Sequence, residues 1–248
     1  MTDRRTALVV GASGGIGLAI ARQLLQEPGI QRVYATYRQP NNATALLAID
    51  DDRLHALKVD ITSADDLQSL AANIRADQSH PDFVINCAGL LHEGALQPEK
   101  SLNQCKQDAL THLFQVNSIA PLMLARAILP LMPKNRAGHF AVLSAMVGSI
   151  GDNRLGGWYG YRASKAALNQ LMKTLAVECH RSHPQLCITS IHPGTTDSEL
   201  SRPFQANVKP GKLYTPAQSA ERILRVVSAG KPEESGRFMN WDGKQIPW

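Results

Sequence analysis

The sequence predicts an α/β fold, in which a single doubly wound parallel sheet of about seven strands carries helices on both faces. Short apolar segments alternate with amphipathic segments along the whole chain, and this alternation is typical of parallel sheets. A glycine-rich turn follows the first apolar segment, as in the strand–turn–helix unit that begins many such folds. No repeat, low-complexity tract or linker divides the 248 residues, so we expect one domain spanning 1–248.

Composition and charge argue against several classes of function. The net charge is only +5, and the basic residues are spread along the chain, which indicates no nucleic-acid partner. The four cysteines form no C-x-x-C pair and the eight histidines show no metal-ligand spacing, so we expect a reducing, cytoplasmic location and no metal. No uncharged apolar run reaches membrane-spanning length, and the N-terminus does not resemble a signal peptide, so we expect no membrane partner.

The first predicted strand, 6–10, leads into a glycine-rich turn and an amphipathic helix over 18–26. Glycines let the backbone approach a ligand closely, and a helix N-terminus offers free N–H groups to a pyrophosphate. Tight turns also need glycine, but the position between strand and helix favours dinucleotide binding. The candidate cofactor-binding residues of this turn are Gly11, Ser13, Gly14, Gly15, Ile16 and Gly17.

The second predicted strand, 32–37, ends in Thr36-Tyr37-Arg38. An acidic residue at this position accepts a hydrogen bond from the ribose 2′-OH of NAD, whereas an arginine accommodates the 2′-phosphate of NADP. Because no Asp or Glu stands here, Arg38 predicts that NADP(H) is preferred over NAD(H). The alternative is a solvated arginine at a strand end.

The remaining elements continue the alternation. We predict strands over 54–59, 83–85, 139–143, 186–191 and 237–241, and helices over 40–49, 63–79, 101–116, 119–132, 161–178 and 215–229. Strand carboxyl ends carry ligands in such sheets. Beside the glycine turn, the segments at these ends are Asn86-Cys87-Ala88-Gly89, Ser144 and Pro193-Gly194-Thr195-Thr196, which are expected to converge on one rim.

Tyr161 and Lys165 are four residues apart on a predicted helix, so their side chains share a face. A free tyrosine titrates near pH ~10, and an ammonium within about 4–6 Å favours the phenolate. A general acid–base works best when its pKa approaches the working pH, so Tyr-x-x-x-Lys is a compact way to make a tyrosine useful. Taken alone, such a pair is more often a packed ring beside a solvated charge, because this spacing arises often by chance.

Taken together, these motifs resemble the short-chain dehydrogenase/reductase family over essentially the whole chain. Gly11-x-x-x-Gly15-Ile16-Gly17 is similar to its cofactor loop, Asn86-Cys87-Ala88-Gly89 to its N-N-A-G element, and Tyr161-x-x-x-Lys165 to its catalytic pair. Pro193-Gly194 after the sixth strand is a further family feature. The resemblance implies a Rossmann-type fold and a nicotinamide cofactor.

The resemblance also implies a role for each residue. Tyr161 is expected to be the general acid–base, Lys165 to lower its pKa and to bond the nicotinamide ribose, and Ser144 to hold the substrate oxygen. Asn117 is expected to support a proton relay through water and Lys165. The other implied cofactor contacts are Asp60 and Ile61 at the adenine, Asn86, Cys87, Ala88 and Gly89 along the trough, and Pro193, Gly194, Thr195 and Thr196 at the nicotinamide.

One departure from the family pattern is the spacing of the catalytic residues. Tyr161 follows Ser144 by 17 residues, which is longer than usual, and the extra residues fall within the loop 148–160. Such a loop is tolerated because closure entropy grows slowly with length, and it places Asp152, Asn153, Arg154 and Trp158 near the substrate cleft. Ser149, inside the loop, is the less favoured alternative to Ser144.

The loop 148–160 and the ending Trp241-Asp242-Gly243-x-x-Ile246-Pro247-Trp248 resemble the C-factor and sniffer-type carbonyl reductase branch of the family. The expected function is therefore an NADP(H)-dependent carbonyl reductase acting on a small carbonyl or alcohol. A C-factor-like signalling protein that binds the dinucleotide with little turnover is the alternative. An S-adenosylmethionine methyltransferase could use a similar glycine loop, but it has no use for Tyr161-x-x-x-Lys165.

The resemblance further implies a homodimer or homotetramer that associates through the helices 119–132 and 161–178, although the carbonyl reductase branch also contains monomers. The polar, proline-containing segment 197–213 is expected to form a substrate lid, since long loops in compact domains are commonly functional. The C-terminal tail is placed at 236–248. The identity of the substrate is not legible from these residues.

Overall fold

Seven parallel strands form the central sheet of the protein, which we describe from a computed structural model covering residues 4–248. Including a separate two-stranded pair, the strands of the described residues are, in chain order, β1 (Arg5–Val10), β2 (Ile30–Tyr37), β3 (Leu54–Lys58), β4 (Pro81–Asn86), β5 (Gly138–Leu143), β6 (Leu186–His192), β7 (Thr195–Thr196), β8 (Leu213–Tyr214) and β9 (Arg237–Asn240). The large sheet has the order β3-β2-β1-β4-β5-β6-β9, and β7 pairs with β8 separately.

Helices cover both faces of this sheet. They are α1 (Gly15–Gln26), α2 (Thr44–Leu47), α3 (Ala64–Ala76), α4 (Gln107–Phe114), α5 (Ala120–Ile128), α6 (Tyr159–Ser182) and α7 (Pro216–Ala229). Leu67, Leu124 and Leu168, from α3, α5 and α6, belong to the core on one face, whereas Ile20 and Ile223, from α1 and α7, belong to the core on the other. The predicted doubly wound, Rossmann-type fold is confirmed.

Side-chain caps explain where two of the helices begin. The Ser63 hydroxyl accepts a hydrogen bond from the Asp66 backbone N–H before α3. Thr215 and Gln218 form a reciprocal capping box at the start of α7, which satisfies N–H groups that the first helical turn cannot pair internally. Both helices therefore begin where the sequence predicts them.

The bounds of two other helices differ from the prediction. α1 begins at Gly15 instead of 18, so the glycine-rich turn merges into the helix. α6 begins at Tyr159 and continues to Ser182, so that His180 and Arg181 lie in its last turn, where positive side chains complement the helix dipole.

The largest correction concerns the two helices predicted on either side of Asn117. The chain is helical without a break from Gln107 to Leu131, and Gln115–Ile119 forms a π-helical turn within it. Pro121 accounts for this turn, because proline has no N–H for the carbonyl four residues earlier and its ring crowds that carbonyl. The carbonyl in question belongs to Asn117, and such π-turns are frequent at functional sites.

The stretch Gln107–Leu131 is also the one helix of the described residues that is long and apolar enough to cross a membrane. Half of its most apolar window is buried inside the fold. A single helix of this kind is weak evidence for a membrane span, because core helices of folded domains meet the same criteria of length and composition.

Candidate active site

The sheet order brings the predicted rim together. The order along the large sheet reverses between β1 and β4, and ligands bind outside the strand carboxyl ends at such a switch point. The Cys87 N–H donates to the Val10 carbonyl at 2.8 Å, and the Ser144 N–H donates to the Ile191 carbonyl at 2.8 Å. The ends of β1 and β4, and those of β5 and β6, are therefore directly joined.

The glycine-rich turn is built for close backbone approach. Gly11 has φ +77°, and a Cβ there would lie 2.8 Å from the Ala88 backbone N. A Cβ at Gly17 would lie 2.2 Å from the Gly11 carbonyl oxygen, so both positions exclude a side chain. At Gly14, by contrast, a Cβ would meet nothing within 4 Å.

The start of α1 fits an anionic group. Gly14 is its N-cap residue and supplies no side-chain cap, and the first turn contains no acidic residue. The free N–H groups and the positive end of the helix dipole therefore face the open space beside Gly14, which is the arrangement that binds phosphate groups in many proteins. The turn residues thus fit the pyrophosphate of a dinucleotide.

Arg38 stands directly after β2, as predicted, but it is paired. Its Nη2 lies 2.6 Å from Oε1 of Glu93, on the loop that follows β4. The end of β2 has no acidic residue in the sequence, but the fold brings the Glu93 carboxylate to it. The sequence reading missed Glu93 because it lies 55 residues away in the chain.

Asp60 lies just after β3, on the same rim. Its Oδ1 accepts hydrogen bonds from the backbone N–H and the hydroxyl of Thr62, at 2.9 and 2.6 Å. Burial opposes its ionisation, but these bonds and the charges of Arg38 and His112 hold the pKa of Asp60 below its ordinary value. The residue beside the predicted adenine position is consequently a carboxylate.

Tyr161 and Lys165 are both buried on one face of α6. The Lys165 Nζ donates to the Leu143 carbonyl at 2.8 Å and lies 5.8 Å from the centroid of the Tyr161 ring. This bond fixes the ammonium at the end of β5, immediately before Ser144. Tyr161 and Lys165 therefore share a face of α6, as their spacing predicts, and the bond to Leu143 holds that face against the rim of the sheet.

Burial dominates the acid–base properties of this pair. It raises the pKa of the Tyr161 phenol above its ordinary value and lowers the pKa of the Lys165 ammonium to about 8. The sequence led us to expect that Lys165 lowers the pKa of Tyr161. In the structure the removal of the phenol from water outweighs that effect, because a buried phenolate loses its hydration.

Ser144 and the alternative Ser149 are distinguished by their hydrogen bonds. The buried Ser144 Oγ has no hydrogen-bond partner among the described residues, although buried hydroxyls are nearly always paired. The Ser149 Oγ, in contrast, accepts from the Asp152 backbone N–H at 3.2 Å and holds the loop. Of the two serines, Ser144 is therefore the one whose hydroxyl is left without a partner among the described residues.

If the protein carries out the carbonyl reduction that its sequence predicts, replacing Ser144 with alanine is expected to lower kcat about 10²-fold, because one preformed donor to the developing oxyanion is lost. Ser149→Ala is the matched control and is expected to retain kcat within about threefold, a range that corresponds to under ~1 kcal/mol. Both are measured by steady-state NADPH oxidation. Unchanged turnover in Ser144→Ala would remove this residue from the catalytic set.

Asn117 is fully buried within the π-helical turn. Its Oδ1 accepts from the Leu90 N–H at 2.8 Å, and its Nδ2 donates to the Leu90 carbonyl at 2.7 Å and to the Ser164 Oγ at 3.0 Å. A Cβ added at Gly89 would lie 3.3 Å from the Lys165 Nζ and 3.5 Å from the Asn117 Oδ1. Asn117 thus joins the end of β4 to the helix that carries Tyr161 and Lys165.

The segment after β6 closes the rim. Gly194 has φ +80°, and a Cβ there would lie 3.0 Å from the rings of Tyr214 and Trp241, so glycine is required. Burial lowers the pKa of the neighbouring His192 to about 4, which keeps the imidazole neutral. Thr195 and Thr196 form β7, whose pairing with β8 holds the two ends of the predicted lid together.

Cys87 lies in the predicted trough beside Ala88. Burial raises the pKa of its thiol to about 12, so it is protonated at neutral pH and is not a nucleophile.

Of the four residues of the extended loop that were expected near the substrate cleft, Trp158 contacts the site. The Trp158 ring lies 6.2 Å from the Tyr161 ring and 4.9 Å from that of Phe204, on the predicted lid. Asp152, Asn153 and Arg154 are instead exposed to solvent. Trp158 has φ +54°, a conformation that costs a bulky residue energy and that clusters at functional sites.

Glu99 is a second residue that the sequence reading missed. It is 3% exposed; its carboxylate accepts the Gly160 N–H at 3.2 Å and its carbonyl accepts the Trp158 N–H at 2.5 Å. A buried carboxylate therefore holds the N-terminus of α6, where negative charge is favourable. A lone Glu belongs to no motif, so the sequence contained no signal that could have identified Glu99.

Comparison with known proteins finds a matching family model and several relatives. Residues 5–209 match the model of the short chain dehydrogenases. A 1-hydroxy-2-glutathionyl-2-methyl-3-butene dehydrogenase of Rhodococcus sp. is 31% identical over 98% of this chain and 99% of that protein. The C-signal protein of Myxococcus xanthus is 30% identical, but over only 56% of this chain and 78% of that protein.

Solved structures give the same result. The NADPH-bound carbonyl reductase from chicken fatty liver has a TM-score of 0.87 and 28% identity, and 99% of each chain is covered. The carbonyl reductase Sniffer of D. melanogaster has a TM-score of 0.86 and 26% identity, with 99% of this chain and 100% of that chain covered. The resemblance to the C-factor and sniffer-type branch is confirmed.

Proposed function

Because the chain belongs to the short-chain dehydrogenase/reductase family of oxidoreductases, we propose that it is an NADP(H)-dependent carbonyl reductase. It transfers a hydride between the nicotinamide and the carbon of a carbonyl or secondary alcohol. The observation that carries the proposal is the Lys165–Leu143 hydrogen bond. It places the Tyr161 helix beside Ser144, whose buried hydroxyl has no partner among the described residues.

In this proposal the dinucleotide supplies the hydride, and the protein supplies position and electrostatics. The free N–H groups at the start of α1 hold the pyrophosphate, and Arg38 contacts the 2′-phosphate. Asp60 and Ile61 border the adenine, residues 86–89 line the trough, and residues 193–196 border the nicotinamide. Lys165 binds the nicotinamide ribose from its position at the end of β5.

The chain's own residues carry the proton chemistry. In reduction the Ser144 hydroxyl donates to the substrate oxygen while the Tyr161 phenol transfers its proton to that oxygen; in oxidation the same phenolate oxygen takes the proton back. Burial keeps Tyr161 protonated, which suits the reductive direction. The Lys165 ammonium stabilises the phenolate that forms.

Asn117 supports the relay that returns a proton to this centre. Pro121 has no N–H for the Asn117 backbone carbonyl, so this carbonyl lacks its usual helical donor and is suited to hold a water molecule near Lys165. The Asn117 side chain is already committed to Leu90 and Ser164, and it keeps the turn in place.

Preference for NADPH is supported by Arg38 and by the NADPH found in the chicken fatty liver carbonyl reductase structure. A C-factor-like signalling role is the second candidate, supported by the similarity to C-signal over about half of this chain. It is less favoured, because a protein that binds a dinucleotide without turnover has no need for Ser144, Tyr161 and Lys165 on one rim.

We expect a homodimer or homotetramer in the cytoplasm. Val177 on α6 and Ile119 beside α5 are exposed apolar side chains, 65% and 42% exposed, on the two helices through which we expect association. A monomeric mass in sedimentation would refute this. The cytoplasmic assignment is supported by four free cysteines. We also propose that 1–248 acts as one domain, with 197–213 as the substrate lid and 236–248 as the tail.

The proposal is tested by following NADPH oxidation with a panel of aldehydes, ketones and diketones, with NADH as the cofactor control. Turnover with NADPH, and slower turnover with NADH, is the expected result. Tight NADPH binding without turnover on any member of the panel would favour the signalling candidate. If neither cofactor binds, the proposal is wrong.

The pH profile gives a second test. Reduction requires the charged form of Lys165, and burial lowers its pKa to about 8. The kcat/KM for NADPH, which reports groups of the free enzyme, is therefore expected to be highest below pH 8 and to fall about tenfold per pH unit above it. Lys173→Met, an exposed lysine on the same helix, is the control and should leave the profile unchanged. A flat profile between pH 7 and pH 9.5 would contradict the role of Lys165.

A further inference from the structure

The ion pair between Arg38 and Glu93 lies across the cofactor crevice. Arg38 directly follows β2 and Glu93 lies on the loop after β4, while β1 is between these strands in the sheet. The bridge therefore passes over the carboxyl end of β1, where the glycine-rich turn begins at Gly11. A ligand lying along this turn has to share the space with both side chains.

The pair is accessible and exchangeable. Each side chain is 48% exposed, although the Nη2–Oε1 distance is 2.6 Å. Solvent-exposed ion pairs of this kind contribute little to stability. A phosphate group, which carries more negative charge than a carboxylate and matches the guanidinium fork, can therefore replace Glu93 as the partner of Arg38 without disturbing the fold.

Two carboxylates surround this single permanent cation. Glu93 contacts Arg38 directly, and its second oxygen lies 3.5 Å from the His112 Nε2. Asp60, on the neighbouring strand end, feels the charges of both Arg38 and His112. Arg38, Glu93 and Asp60 together carry a net charge of one negative unit, so Arg38 does not meet an incoming 2′-phosphate as a free positive charge.

We propose that Glu93 is a specificity-determining residue that competes with the cofactor 2′-phosphate for Arg38 and thereby narrows the preference for NADPH over NADH. This inference rests on the proposed function. When NADPH binds, Arg38 exchanges the Glu93 carboxylate for the 2′-phosphate. The carboxylate remains nearby and repels that phosphate. NADH brings no 2′-phosphate and leaves the ion pair intact.

The competition predicts that Glu93→Gln changes the binding of NADPH but not that of NADH. The amide keeps the size of the side chain and removes its charge. The Kd for NADPH is expected to fall about three- to tenfold, since one opposing unit charge near a surface phosphate is removed. The Kd for NADH is expected to change less than twofold. Both are measured by the fluorescence of the bound reduced nicotinamide, with 2′,5′-ADP and 5′-AMP as competitors that differ in the 2′-phosphate.

Two controls separate competition from a general charge effect. Glu234→Gln removes the same charge from a similar pair, Glu234–Arg237, with side chains 38% and 40% exposed. That pair lies at the amino end of the edge strand β9, so neither Kd should change. In an Arg38→Gln background, Glu93→Gln is expected to lose most of its effect on NADPH, as coupled residues do in a double-mutant cycle.

The results distinguish this inference from the function on which it rests. If the unaltered protein binds neither NADPH nor NADH, the proposed function fails. If it binds both and Glu93→Gln leaves the NADPH Kd unchanged, weakens it, or shifts both cofactors equally, the competition by Glu93 is wrong while the function stands. Tighter NADPH binding with unchanged NADH binding, absent in Glu234→Gln, supports it.

Discussion

Tyr161→Phe is expected to lower carbonyl reduction about 10³-fold while the cofactor still binds. A positioned general acid–base contributes about 10²–10⁴ in rate, and phenylalanine removes the only group of this side chain that can hold the proton. The ring itself is retained, so its edge contact with Trp158 and its packing on α6 persist. The NADPH Kd is expected to stay within about threefold, because under ~1 kcal/mol of binding is at stake.

Tyr159→Phe is the matched control for this substitution. Tyr159 begins the same helix and is 44% exposed, so the loss of its hydroxyl is expected to leave kcat unchanged. Steady-state kinetics, NADPH fluorescence and thermal unfolding are measured on both variants. Retained turnover in Tyr161→Phe, with an intact fold, would falsify the assignment of Tyr161 as the proton donor.

Gly17→Ala is expected to lower the free energy of unfolding by about 3 kcal/mol or more, which corresponds to a fall in Tm of about 6–12 °C for a chain of this size. The added Cβ would lie 2.2 Å from the Gly11 carbonyl oxygen. The Cβ position is fixed by the backbone of α1, and the carbonyl belongs to the backbone directly after β1, so neither atom can rotate away. The glycine-rich turn has to open, and NADPH binding is expected to be lost with it.

Gly14→Ala separates the loss of stability from the loss of NADPH binding. Its Cβ would meet nothing within 4 Å, and its φ of −169° is extended backbone that alanine adopts. Its Tm is therefore expected to change by less than about 2 °C, because surface substitutions stay within about 0.5 kcal/mol. The added methyl group enters the space where the pyrophosphate is proposed to lie, so the NADPH Kd is expected to rise. Unchanged NADPH binding in Gly14→Ala would place the phosphates elsewhere.

The fold and most of the rim were predictable because the signals are local. A strand, a glycine turn and a helix follow one another within 26 residues, and Tyr161 and Lys165 are neighbours on a helix by spacing alone. Residues directly after parallel strands must meet at one edge of the sheet. The positions of Ser144, residues 86–89 and residues 193–196 on a common rim follow from that rule.

The errors arose where a local signal was given the wrong weight. The break predicted at Asn117 is a π-helical turn, because Pro121 removes one helical hydrogen bond without ending the helix. The sequence favoured Ser144 over Ser149 because Ser144 directly follows a strand. The Asp152 N–H that occupies the Ser149 hydroxyl agrees with this preference, but that contact depends on how the loop folds and was not predicted.

By itself the sequence determined the sheet, its helices and the chemistry-bearing residues at the strand ends, because each depends on periodicity or on adjacency in the chain. Only the tertiary structure decided the charge around Arg38, the pKa of Lys165 and the position of Trp158. Glu93 contacts Arg38 although 55 residues separate them in the chain. The buried Lys165 ammonium bonds the Leu143 carbonyl at the end of β5, and the Glu99 carbonyl accepts the Trp158 N–H from another loop. Electrostatics and desolvation depend on distances through space, which a linear pattern does not contain.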